Sequence, residues 1–93
     1  MLPMNKKTIH KNDYLQLIDV LSAERKRLGL SQSEVAKLLN MSQSDISKIE
    51  SNERRLDIYE LKLLLQIFRI HTNETLQMKI FEYFGFSKEV NVS

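Results

Sequence analysis

The sequence predicts an all-helical domain, and three observations carry that prediction. Glycine occurs only at 29 and 85 and proline only at 3, so almost nothing interrupts a helix between Asn12 and Phe84. Apolar residues recur at three- and four-residue spacing, which gathers them on one face of a helix. Five segments also open on a residue whose side chain can cap a helix: Asp13, Ser31, Ser42, Asp57 and Thr72.

The first helix is expected to start at Asp13 and to carry Leu17, Ile18, Leu21 and Leu28 on one side, with Gly29 as its stop. Ahead of it, residues 1–12 hold Lys6, Lys7 and Lys11 and read as a flexible basic arm.

Next comes SQSEVAKLLNMSQSDISKIE, in which Ser-Gln-Ser-acid occurs twice, as Ser31-Gln32-Ser33-Glu34 and, eleven residues on, as Ser42-Gln43-Ser44-Asp45. In each copy the serine hydroxyl can accept a free N–H of the first turn while the acid reaches back to the cap, where its charge suits the positive helix end. The interval leaves room for a helix of about eight residues and a turn of about three, too short to be stable unless packed on something else. Asn40 tolerates the left-handed conformation that a reversal needs. Ala36 lets a second backbone approach, and Val35, Leu39, Ile46 and Ile49 supply a shared apolar side. This is the arithmetic of a helix-turn-helix.

Asp57 and Glu60 repeat the cap for a helix reaching about Ile70. Its apolar residues form two stripes, Ile58, Leu61, Leu65 and Phe68 on one and Tyr59, Leu63, Ile67 and Ile70 on the other, so it needs two neighbours. Thr72 is expected to cap a last helix through about Phe84, with Leu76, Ile80, Tyr83 and Phe84 on one face and Gly85 as its stop. Residues 13–86 thus form one domain, and 87–93 a polar tail.

Composition narrows the function. Ninety-three residues, 42% apolar and 28% charged, suit one folded domain with a modest core. The absence of cysteine excludes disulfides and thiolate chemistry. No run of about 18 apolar residues is available to span a membrane, and no apolar stretch follows the first lysines as in a secretory signal, so the cytoplasm is the default location. His10 and His71 lack further ligands at metal spacing, and no Gly-rich loop or triad is present, so no metal, cofactor or catalysis is expected. The formal net charge of +2 and pI near 9.0 only hint at a nucleic-acid partner. From Ser31 to Glu60 the four bases Lys37, Lys48, Arg54 and Arg55 face six acids, Glu34, Asp45, Glu50, Glu53, Asp57 and Glu60.

The stretch LSAERKRLGLSQSEVAKLLNMSQSDISKIESNERRLDIYELKLLLQIF, residues 21–68, resembles the helix-turn-helix domain of the lambda-repressor/Cro (XRE) family of transcription regulators. The resemblance rests on Arg25, Leu30-Ser31-Gln32, Glu34, Ala36, Leu39, Ser42, Ile46-Ser47, Ile49-Glu50 and Arg55. It implies a five-helix lambda-repressor-like bundle whose second and third helices, about 32–39 and 43–51, dock on double-stranded DNA. By that resemblance Gln43, Ser44 and Lys48 contact bases, while Gln32, Lys37, Ser42, Ser47, Asn52, Arg54 and Arg55 contact phosphates. The resemblance also implies a structural ion pair between Arg25 and Glu50. A repressor acting as a homodimer is implied, with Leu63, Ile67, Leu76, Ile80 and Phe84 at the interface. The alternative is an antitoxin whose main task is to bind a toxin protein.

Two departures from the family pattern concern the following loop, where Ser51-Asn52-Glu53 replaces the common Asn-Gly or Ser-Gly and Leu56 stands in place of proline. Plainer roles also exist: the serines cap helices in any helical protein, and the glutamines suit solvated first turns. Asp45 either stays in its cap or accepts from cytosine N4.

Overall fold

Every helix start that the sequence marks with a Ser-x-x-acid or Asp-x-x-Glu pair becomes a helix start in three dimensions. The computed structural model describes residues 2–86, with side chains from residue 12 onward. Its helices are α1 (Leu2–Arg27), α2 (Gln32–Leu39), α3 (Gln43–Glu50), α4 (Ile58–Ile67) and α5 (Glu74–Phe84). Reciprocal capping boxes open α2 through Ser31 and Glu34, α3 through Ser42 and Asp45, and α4 through Asp57 and Glu60.

The helix ends follow one rule as well. After each helix a single residue turns left-handed: Gly29, Asn40, Asn52, Arg69 and Gly85. Its N–H returns to a carbonyl three residues back and the next N–H to one five back, as in Asn40 to Lys37 at 3.2 Å and Met41 to Ala36 at 2.8 Å. This is the Schellman closure, which satisfies carbonyls that a helix end otherwise leaves bare.

Three boundaries differ from the sequence reading. The first helix begins at Leu2 rather than at Asp13, which lies inside it. Pro3 falls in the first turn, where proline is tolerated, and no breaker separates it from Asn12. The lysines of the expected arm have side chains outside the described residues, as does the whole of the expected tail at 87–93. The fourth helix stops at Ile67 instead of about Ile70, because Arg69 takes φ 58° and closes it. The fifth is capped by Asn73 rather than Thr72: Asn73 Oδ1 accepts the Leu76 N–H at 3.0 Å, while its Nδ2 donates to the Phe68 carbonyl at 2.9 Å and to Glu24 at 2.6 Å. The Glu24 side chain of α1 and the Phe68 carbonyl at the end of α4 thus favour Asn73 as the cap.

The core gathers Leu17 and Leu21 of α1, Val35, Ala36 and Leu39 of α2, Ile46 of α3, Leu64 and Phe68 at α4, and Leu76 of α5. Full burial of each large member contributes on the order of 1.5 to 3 kcal/mol. Helix α2 packs on α3 and α4, while α1 packs on α3 and α5, so the two short helices are braced by the rest of the bundle. The two expected stripes of α4 give way to one deep line through Leu64 and Phe68, flanked by half-buried Leu61, Leu63, Leu65 and Ile67, with Ile58 and Tyr59 exposed. Leu28, expected on the apolar side of α1, lies past its end and is exposed.

Among the described residues the Glu24 side chain is the charged one with no exposed area. The Glu24 carboxylate accepts from Arg27, at 2.9 Å from Nε and also from Nη2, and from Asn73 Nδ2. It ties α1 to the cap of α5.

Candidate nucleic-acid interface

The surface that the resemblance assigns to DNA is built on the α2–turn–α3 unit. Its turn is tight because Asn40 reverses the chain at φ 58° and Ser42 restarts a helix two residues later. Burial of Val35, Ala36, Leu39, Ile46 and Ile49 fixes the inner faces of both helices. Gln43, Ser44 and Lys48 are thereby left exposed along α3, with Ser47 half-buried beside them.

Four side chains connect this surface to the interior. Arg25 donates from Nε to Glu50 Oε2 at 2.7 Å and from Nη2 to Glu50 Oε1 at 2.9 Å, while its Nη1 holds the Leu30 carbonyl at 2.7 Å. Glu50 Oε1 also accepts from Gln32 Nε2 at 3.0 Å, and Gln32 Oε1 accepts from Gln43 Nε2 at 2.7 Å. Burial pushes the Glu50 carboxyl up, but the bonds from Arg25 and Gln32 and the guanidinium charge outweigh it and hold it below the usual carboxylate range. The continuous line Arg25–Glu50–Gln32–Gln43 sets the direction of the Gln43 amide. Its carbonyl oxygen and second N–H are not used by that line.

The serines of the repeated motif occupy their caps. Ser42 Oγ accepts the Asp45 N–H at 3.0 Å, and Asp45 Oδ2 accepts the Ser42 N–H at 3.3 Å. Of the two roles open to Asp45, the geometry supports the cap, and the bonds from Ser42 lower its carboxyl pKa. The Ser42 hydroxyl remains able to donate, as a phosphate contact requires. Glu34 is held in the same way by Ser31, which lowers its pKa too. Lys37 is exposed on α2, and Asn52 is exposed in a left-handed turn at φ 69°.

The two loop arginines are less available than their sequence positions suggest. Arg54 forms a two-point ion pair with Glu60, and Arg55 lies over the Tyr14 ring, 4.0 Å from its centroid. The Tyr14 hydroxyl also accepts the Leu56 N–H at 2.9 Å, which pins this loop to α1. Glu53, beside them, accepts from the Ser51 hydroxyl at 2.8 Å. Tyr14 and Glu60 were absent from the expected site. Glu60 was visible six residues after Arg54 but already had a capping role, and no local pattern links Tyr14 to a loop 42 residues away.

The residues expected at a dimer interface do not share one exposed surface. Leu76 has no exposed area and belongs to the same core cluster as Leu17, Leu21, Leu64 and Phe68, so it is not free to form an interface as expected. Leu63, Ile67 and Ile80 are half-buried against that core. Phe84 is 49% exposed and stacks on Phe86, whose ring also meets Phe81 edge-on. Among the described residues no helix is long and apolar enough to cross a membrane.

A family model described as helix-turn-helix matches residues 21–74. That span runs from the last turns of α1 to the start of α5 and contains the whole Arg25–Glu50–Gln32–Gln43 line. No curated protein matches the chain.

Proposed function

Because this chain belongs to the lambda-repressor-like (XRE) helix-turn-helix family of DNA-binding regulators, we propose that it is a sequence-specific repressor that reads the major groove with α3 as a homodimer. The observation that carries this reading is the Gln43 amide, exposed at the first turn of α3 and oriented by Gln32. A glutamine amide can bond adenine at N6 and N7 together, and an α-helix fits the major groove. Lys48, one turn further along, can donate to guanine O6 and N7, and Ser44 reaches an adjacent base. Gln32 and Ser42 then serve phosphates at the first turns of α2 and α3, where helix dipoles favour anions, and Lys37, Ser47 and Asn52 serve others further along the same surface.

The dimer reading rests on the exposed aromatic end of α5, Phe81, Phe84 and Phe86. A two-fold axis there presents two α3 helices about 34 to 36 Å apart on one face of the duplex. A toxin-like protein partner would cover the same aromatic surface. Sedimentation of the isolated chain separates these readings: a micromolar dimer supports self-association, and a monomer at every concentration favours a different partner.

The main test is binding of the chain to DNA upstream of its own gene at several salt concentrations. Specific binding should exceed binding to random duplex by roughly 10³-fold or more. It should also weaken steeply with salt as phosphate counterions are released. Equal affinity for both duplexes would remove the sequence-specific part of the reading.

A further inference from the structure

Arg54 is one of four cations in a segment that carries six acids, and its charge is already engaged. Nη1 donates to Glu60 Oε1 at 3.0 Å and Nη2 to Glu60 Oε2 at 2.8 Å, a fork-to-fork pair of the strong, charge-assisted kind. Glu60 is fixed in turn. Its Oε1 accepts the Asp57 N–H at 3.0 Å, and its own N–H donates to Asp57 Oδ1 at 2.7 Å, so the carboxylate cannot swing away without loosening the start of α4. The Glu60 side chain is 13% exposed and that of Arg54 37%, so the acid is the sheltered member of the pair. Asp45 and Asp57 add negative charge around the same guanidinium.

We propose that Glu60 withholds Arg54 from the DNA backbone, an internal carboxylate standing where a phosphate would otherwise bind. The inference rests on the DNA-binding reading above and refines it. Phosphate contacts carry no sequence information, so withholding one cation lowers affinity for all duplexes alike and keeps the chain from accumulating on random DNA. Arg54 thereby offsets the acids of its own surface, while the uncharged contacts of Gln32, Ser42 and Gln43 are left to set register and sequence.

The test uses the full chain, its Glu60→Gln, Arg54→Gln and double variants, and a random-sequence 30-base-pair duplex, with binding followed by fluorescence anisotropy across a potassium chloride series. Glutamine also serves in a capping box, so α4 keeps its start, which thermal melts will verify. Glu60→Gln should steepen the slope of log affinity against log salt by about 0.9 and tighten binding about fivefold at 0.15 M salt, the effect of one added phosphate contact. Arg54→Gln alone should keep the wild-type slope, a result that needs no Glu60 variant to fold. In the Arg54→Gln background, Glu60→Gln should leave the slope unchanged.

Flattening by about 0.9 in Arg54→Gln would overturn the proposal, because it would mean that Arg54 already holds a phosphate. A steeper slope for the double variant would overturn it as well, since loss of a negative charge alone would then explain the gain. Duplex binding by none of the proteins would overturn the DNA-binding reading and this inference with it. Wild-type binding with an unaltered slope in Glu60→Gln would overturn the inference alone.

Discussion

Gln43 and Gln32, eleven residues apart in a repeated motif, meet amide to amide, with Gln43 Nε2 donating to Gln32 Oε1 at 2.7 Å. The contact leaves Gln43 one N–H and its carbonyl oxygen, the pair that adenine requires. Replacing Gln43 by alanine should therefore weaken binding to the cognate site by about 1 to 3 kcal/mol and scarcely affect random duplex. Gln32→Ala should cost specificity too, because the Gln43 amide then loses its orienting partner. The double variant should lose less than the sum of the two, as expected of side chains that act together. Additive losses would show that the amides act independently.

The Arg25–Glu50 pair is mostly shielded, with side chains 10% and 17% exposed. Removing one member strands the other charge, so Glu50→Ala should lower unfolding free energy by about 3 to 5 kcal/mol, measured by urea denaturation. Replacing both residues by apolar side chains of similar volume should restore most of that stability. The restored protein should still read DNA poorly, since Gln32 would have lost its carboxylate anchor. Wild-type sequence discrimination in it would show that the pair serves the fold alone.

Acid should unfold the domain through its paired carboxylates. The bonds from Arg27 and Asn73 hold Glu24 below the usual carboxylate range, with burial opposing them. Arg54 does the same for Glu60, and Arg25 with Gln32 for Glu50 against the effect of burial. A carboxyl whose folded pKa lies below its unfolded one stabilises the fold above the unfolded value, and that stability disappears as pH falls through the folded value. The urea midpoint should stay level from pH 7 to about 5 and drop below about pH 4. Glu24→Gln should lower the midpoint at pH 7 and make its fall with acid shallower. An identical acid profile for that variant would show that Glu24 does not participate.

What was legible in the sequence is what depends on residues three or four apart. The boxes at Ser31, Ser42 and Asp57 each need only an acid at the third position onward, and Gly29, Asn40 and Gly85 announce their turns by residue type alone. Gln43, Ser44 and Lys48 were named as base contacts through the family resemblance, and with Ile46 and Ile49 buried all three are exposed on α3. The choice of Asn73 over Thr72 was hidden because it is made by Glu24, 49 residues away. The engagement of Arg54 was hidden for another reason: Glu60 serves a cap and an ion pair at once, and local reasoning assigned it only the first.

Among the described residues Arg69 is the one helix-closing residue that is neither glycine nor asparagine, and it offers a stabilising substitution. It takes φ 58° so that its N–H reaches the Gln66 carbonyl at 3.0 Å and that of Ile70 reaches Leu65 at 2.9 Å. For a residue with a Cβ that conformation costs about 1 to 2 kcal/mol, and here it is carried by the burial of Phe68 on one side and the Asn73 cap on the other. Glycine removes the Cβ clash but gains freedom in the unfolded chain, about 0.5 to 1 kcal/mol in the opposite direction. Arg69→Gly should thus stabilise by roughly 0.5 to 1 kcal/mol, a rise in melting temperature of about 2 to 8 °C. Arg69→Ala retains the Cβ and should show no such rise. Asn52→Gly, at φ 69°, should gain less, because asparagine already tolerates that region. A melting temperature for Arg69→Gly equal to that of Arg69→Ala would mean that no strain is stored at this turn.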